Sequence, residues 1–230
     1  MADRVVLIHS AVADSRMWDR QARLLRERGL DVVTPDLPGF GSEPVPAKEF
    51  SFVERIASLL PAMLVGSSFG GRIALETALA YSDGVPRLML VDAAIRDHAW
   101  SDETTSYWTR EDELLERGDV DGATELTLAV FAEPHVHDVL RPMQRCAYEL
   151  QLAAADPDVR WPDPKPLSSL RAPTLVLVGE HDLPDFRAIA ERIAHEAPDA
   201  RLEVVSGARH LPSLEAPDVF DDLLLEFLDG

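Results

Sequence analysis

Cysteine is nearly absent. Cys146 alone stands in the 230 residues, which excludes an internal disulfide framework and leaves no cysteine pair for a zinc or iron–sulfur site. This usage fits the reducing cytoplasm. Long apolar runs are missing too: no stretch reaches the roughly 18 residues of a membrane span. "MADRVVLIH" sets an acidic residue before a very short apolar run, unlike a signal peptide. The chain therefore reads as cytosolic and complete. Cations are scarce, with 22 Lys+Arg against 41 Asp+Glu and a formal charge of −19. Such a surface repels phosphate backbones and anionic membranes, so the expected partner is a small molecule, with no nucleic acid and no membrane. His135 and His137 have ligand-like spacing but no third ligand nearby in sequence. No metal and no cofactor is expected.

What is present is a rhythm of short apolar runs: "RVVLIH" (4–9), "DVVTPD" (31–36), "PAMLVG" (61–66), "RLMLVD" (87–92), "PTLVLVG" (173–179) and "RLEVVSG" (201–207). Their apolar character is continuous rather than alternating, which predicts strands covered on both faces, as in a parallel sheet. Helical patterns fall between them at 15–28, 69–82, 184–197 and 216–228, with a short one at 51–60. The repeat predicts a doubly wound α/β fold with a mostly parallel sheet of about six strands. Residues 98–165 break the rhythm with three helical patterns, roughly 103–117, 119–132 and 138–154, followed by a proline-rich exit. They are read as a helical cap inserted into a core made of 1–97 and 166–230. "DVVTPD" becomes a sheet edge that Asp31, Pro35 and Asp36 protect, which leaves monomer or homodimer open.

"LVGSSFGGRIA" (64–74) poses the chemical question, because two serines stand between glycines just after a strand run. A G-x-S-x-G frame fits Gly66, Ser68 and Gly70, which makes Ser68 the candidate nucleophile and Ser67 a spacer. A nucleophile on a tight strand-to-helix turn needs neighbours without a Cβ, and the helix N-terminus beyond it favours developing negative charge. The segment lacks the lysine of a phosphate-binding P-loop.

Together with "LVGEHDLPD" after the penultimate strand and "GARHLPSLEAPDVF" after the last, this segment resembles the α/β-hydrolase fold family over nearly the whole chain. By that resemblance Asp182 is the triad acid and His210 the base. Both fall just past C-terminal strand ends, where parallel sheets place ligands. Asp92 and Asp185 remain alternative acids. The resemblance also implies an oxyanion hole from the backbone N–H groups of Phe69 and Ala11. His9 is given a structural hydrogen-bonding role. Ser10 replaces the family's usual glycine, and its hydroxyl is expected either to meet a substrate oxygen or to satisfy local backbone. The core begins at the strand leading to His9, without the N-terminal hairpin of many relatives.

The cap's aromatic and apolar residues supply candidate pocket walls: Trp108, Phe131, Met143 and Tyr148, with Trp100, Tyr107 and Trp161. Leu211, beside the base, replaces the lysine that hydroxynitrile lyases of this fold use to hold cyanide, so hydrolysis is favoured over lyase chemistry. No cationic cluster stands out in the cap; Arg110, Arg141 and Arg145 are its candidates for an anion. The expected activity, similar to bacterial carboxylesterases and enol-lactone hydrolases of the family, is cleavage of small, mostly apolar esters or lactones through an acyl-enzyme. Carbon–carbon hydrolysis, cyanohydrin cleavage and a ligand-binding receptor with a slow triad are the alternatives.

Overall fold

The computed structural model describes residues 4–155 and 157–229; residues 1–3 of the N-terminal stretch, Asp156 in the proline-rich exit and Gly230 lie outside. Strands β1 (Arg4–Ile8), β2 (Asp31–Val33), β3 (Met63–Ser67), β4 (Leu88–Val91), β5 (Thr174–Gly179) and β6 (Ala200–Val205) form one sheet in the order β2-β1-β3-β4-β5-β6. Every pairing is parallel. The covering helices are α1 (Asp19–Glu27), α2 (Phe52–Ala57), α3 (Phe69–Ala80), α4 (Asp102–Glu116), α5 (Val120–Phe131), α6 (His137–Leu152), α7 (Pro184–Glu196), α8 (Pro212–Glu215) and α9 (Pro217–Asp229).

The continuous apolar runs have the cause that their composition implies. Successive side chains of a strand point to opposite faces, and both faces are dry in β1, β3, β4 and β5, whereas the edge strands β2 and β6, expected to be covered as well, are partly exposed because each has a neighbour on one side only. Val5, Leu7, Met63, Val65, Met89 and Val91 pack with Trp18, Leu25, Phe220 and Leu224 from the side of α1 and α9. Val6, Ile8, Leu64, Leu88 and Leu90 pack with Ile56, Ile73, Ile189 and Ile193 from α2, α3 and α7. β2 ends after three residues: Pro35, without an N–H, follows closely, and Asp31 pairs with Arg4 at 2.7 Å.

Helix ends follow local chemistry. The pattern at 15–28 divides into a 3₁₀ turn, Ser15–Trp18, and α1, because Asp14 accepts from the Arg16 N–H and caps the turn. The pattern at 216–228 gains a separate turn, α8, before Pro217 opens α9. Helices α4, α5 and α6 intervene between β4 and β5 and pack on one another. Their exit runs extended past Phe50, whose N–H donates to the Asp158 carbonyl.

Candidate active site

The β3–α3 turn is tight. Ser68 has φ +54° and ψ −113°, a left-handed region that a side chain rarely occupies. Its N–H donates to the Val91 carbonyl at 2.8 Å, and its own carbonyl accepts from Arg72 at 3.0 Å. The flanking glycines permit the turn. A Cβ at Gly66 would stand 2.3 Å from the Gly70 carbonyl oxygen, and one at Gly70 would stand 2.4 Å from the His9 carbonyl oxygen. The two serines separate cleanly: Ser67 is buried with its hydroxyl unpartnered, whereas Ser68 opens on a cavity of about 380 Å³.

His210 approaches Ser68 from the loop after β6, its Nε2 2.8 Å from Ser68 Oγ. Its Nδ1 lies 2.8 Å from Asp182 Oδ2, in the loop after β5. Donation of Nδ1–H to this carboxylate oxygen leaves Nε2 free to take a proton from the serine hydroxyl. The other Asp182 oxygen accepts the Leu183 N–H at 2.8 Å. The imidazole is 1 % exposed, with ring centroids of Phe131 and Phe186 at 4.9 and 4.3 Å. An imidazole so enclosed has little freedom to leave the serine.

The alternative acids are both occupied elsewhere. Asp185 accepts from Ser101, Thr104 and His98 and ties α7 to the start of α4. Burial opposes its ionisation, but those bonds hold it down to about 2. Asp92, fully buried at φ +45°, accepts the Gly179 N–H at 2.9 Å. Its pKa is pushed well up, first by burial and then by the neighbouring Asp182 carboxylate. Asp92 therefore holds its proton more tightly than an ordinary carboxyl, beside the acid that holds His210. Asp92, Asp182 and His210 form one group whose ligand-capable atoms lie within 4.8 Å of one another; Asp182 is bonded to His210, whereas Asp92 Oδ2 is buried without a hydrogen-bond partner among the described residues.

Phe69 and Ala11 line the cavity with Ser68, and neither backbone N–H has an acceptor among the described residues. His9 clamps the Ala11 loop: Nε2 accepts the Leu37 N–H at 2.9 Å, so Nδ1–H donates to the Ser10 carbonyl at 2.8 Å. Burial pushes the pKa of His9 down and keeps the ring neutral for this role. Trp108, Phe131 and Tyr148 also stand in the cavity wall. Four other expected wall residues do not, among them Trp161, which lies under the Arg72 guanidinium instead. The Ser10 hydroxyl is buried and accepts the Val12 N–H at 3.3 Å. Met143 and Leu211 are buried in the core cluster on the α1 and α9 side.

Four features had no clear signal in sequence. Glu215 accepts the N–H groups of Arg209, Leu211 and Glu133, which pins the His210 loop from both sides. Arg209 donates to the carbonyls of Ala129, Val130 and Ala132 at the end of α5. Arg72 and Arg96, outside residues 98–165 or at their approach, reach the cavity wall, while Arg141 and Arg145 pair with surface carboxylates. Tyr107 and Tyr148 donate to Glu111, and burial pushes both phenols up so that they stay protonated.

Among the described residues no helix is long and apolar enough to cross a membrane. Relatives align along nearly the whole chain. It is 28% identical to a pimeloyl-[acyl-carrier protein] methyl ester esterase of Nitrosospira multiformis, over 97% of this chain and 93% of that one. It is 25% identical to a 2-hydroxy-6-oxo-2,4-heptadienoate hydrolase of Pseudomonas putida, over 97% and 88%. The solved structure of a thermophilic esterase from Thermogutta terrifontis superposes with a TM-score of 0.77 at 26% identity, covering 98% of this chain and 89% of that one. With a family model described as "Alpha/beta hydrolase family" matching residues 5–223, the chain belongs to the alpha/beta hydrolases.

Proposed function

We propose that the chain is a serine hydrolase of small, mostly apolar carboxylic esters or lactones, with residues 98–165 acting as a cap over a core of 1–97 and 166–230. The observation that carries this reading is the hydrogen-bonded series Asp182–His210–Ser68, which ends on a hydroxyl open to the cavity. In this reading Ser68 Oγ attacks the ester carbonyl while its proton passes to His210 Nε2. Asp182 holds the imidazole in the accepting tautomer and stabilises its cation. The Phe69 and Ala11 N–H groups receive the oxyanion, each worth about 3 kcal/mol of barrier. The imidazolium then protonates the departing alcohol, and water, deprotonated by the same imidazole, releases the acid from the acyl-enzyme. Names of relatives such as the Nitrosospira esterase support ester chemistry, and the buried apolar Leu211 after the base favours it over cyanohydrin cleavage.

Turnover of p-nitrophenyl butyrate tests the reading. Ser68→Ala is expected to lower kcat by at least about a thousandfold, whereas Ser67→Ala retains most activity. Equal losses in the two variants would contradict the assignment. Ligand binding without turnover by the wild type would favour a receptor, and faster cyanide release from mandelonitrile would favour a lyase.

A further inference from the structure

Arg72 stands one turn into α3, its N–H donating to the carbonyl of Ser68, and its side chain lines the same cavity as the serine hydroxyl. The guanidinium lies over Trp161, with Cζ 4.0 Å from the ring centroid. Its Nε is buried and has no hydrogen-bond partner among the described residues. Burial pushes the pKa of the guanidinium down, Arg96 acts in the same direction and Glu76 opposes them. These shifts leave an arginine charged, so a half-buried cation faces the cavity with no carboxylate in salt-bridge contact among the described residues.

The other charges nearby are committed. Arg96 pairs with Glu76 at 3.1 Å and donates to the Pro162 carbonyl at 3.2 Å. Glu111, the carboxylate in the cavity wall, accepts from the hydroxyls of Tyr107 and Tyr148. In a chain with 41 acidic and 22 basic residues, an arginine half-shielded from water at a cavity wall and without a carboxylate partner is uncommon, because its lost hydration is not offset by an anion.

We propose that Arg72 is the anchor for a carboxylate carried by the substrate, so that the esters or lactones cleaved at Ser68 are those bearing a free acid group near the scissile carbonyl. The proposal rests on the ester-hydrolase reading above and narrows its substrate class. A planar guanidinium stacked on an indole offers paired N–H donors to the two oxygens of a carboxylate. One turn of helix, about 5.4 Å, separates the anchor from the nucleophile along α3, a span that a few methylenes cover. Arg72 is then a specificity residue whose effect appears mainly in KM.

Two substrate pairs test this. In one the charge lies on the acyl side: mono-p-nitrophenyl glutarate against p-nitrophenyl valerate. In the other it lies on the alcohol side: the butyryl ester of 3-hydroxybenzoate against that of 3-hydroxybenzamide. The wild type is expected to prefer the anionic member of at least one pair by about tenfold or more in kcat/KM, the value of one charge-assisted hydrogen bond. Arg72→Gln should remove that preference, Arg72→Lys should retain part of it, and Arg110→Gln on the exposed face of α4 should leave it intact. Turnover without preference in the wild type, or a preference that survives Arg72→Gln, overturns the assignment, and the wild-type comparison decides even if the variant does not fold. Absence of turnover with all four compounds overturns the ester reading itself.

Discussion

At position 68 a serine holds a backbone conformation with φ +54° that costs of order 1–3 kcal/mol, and the surrounding packing has to impose it. The glycines are part of that packing. Gly70→Ala would press a Cβ against the backbone carbonyls of Ile8 and His9 at 2.5 and 2.4 Å, where no side chain can swing away. It is expected to lower unfolding stability by about 2 kcal/mol or more, checked by urea denaturation. Asp92 carries a second prediction. Its folded-state pKa is raised above that of the unfolded chain, first by burial and then by Asp182. A group raised in this way contributes stability fully below the unfolded pKa, about 4, and loses it as pH rises through the folded value. Asn cannot ionise in either state, so the stability of Asp92→Asn relative to wild type should improve as pH rises from about 4 to about 7. A difference that is flat with pH would mean that Asp92 is ionised in the folded chain.

The strands and the loops after them differ in how far the sequence reveals them. A strand buried on both faces has to be apolar at every position, so β1, β3, β4 and β5 are legible from composition alone. The glycine frame around Ser68 and the His210 loop are legible because sterics and strand-end placement constrain them. Side-chain direction within a loop is not constrained in that way. Ser10 turns its hydroxyl back to the Val12 N–H, as short polar side chains in turns often do. Arg72 looks like any helical residue until the fold sets Trp161 beside it. Glu215 is the clearest case, because it joins two N–H groups of its own loop to that of Glu133, 82 residues away. Glu215→Ala would free the loop carrying the imidazole, and sub-ångström displacement there is costly to an oriented proton transfer. kcat is expected to fall by about tenfold or more with little change in KM, read from steady-state kinetics on a neutral ester. An unchanged kcat would show that aromatic packing by Phe131 and Phe186 alone holds the ring.

For the molecule as a whole, the parallel sheet places the carboxyl ends of β3, β5 and β6 at one edge, and that topology brings residues 68, 182 and 210 together across the chain. The inserted helices meet the same edge through Asp185 and Arg209, which tie them to α7 and to the His210 loop. The chain carries a formal net charge of −19, while the cavity wall keeps a local cation, Arg72. The central claim is that one serine of the chain is activated. Treatment of the native protein with a fluorophosphonate, followed by peptide mapping in a mass spectrometer, measures this directly. One phosphonyl group per chain, on Ser68 and lost in His210→Ala, is the expected result. A folded chain that stays unlabelled, or one labelled on Ser67 or elsewhere, would contradict it.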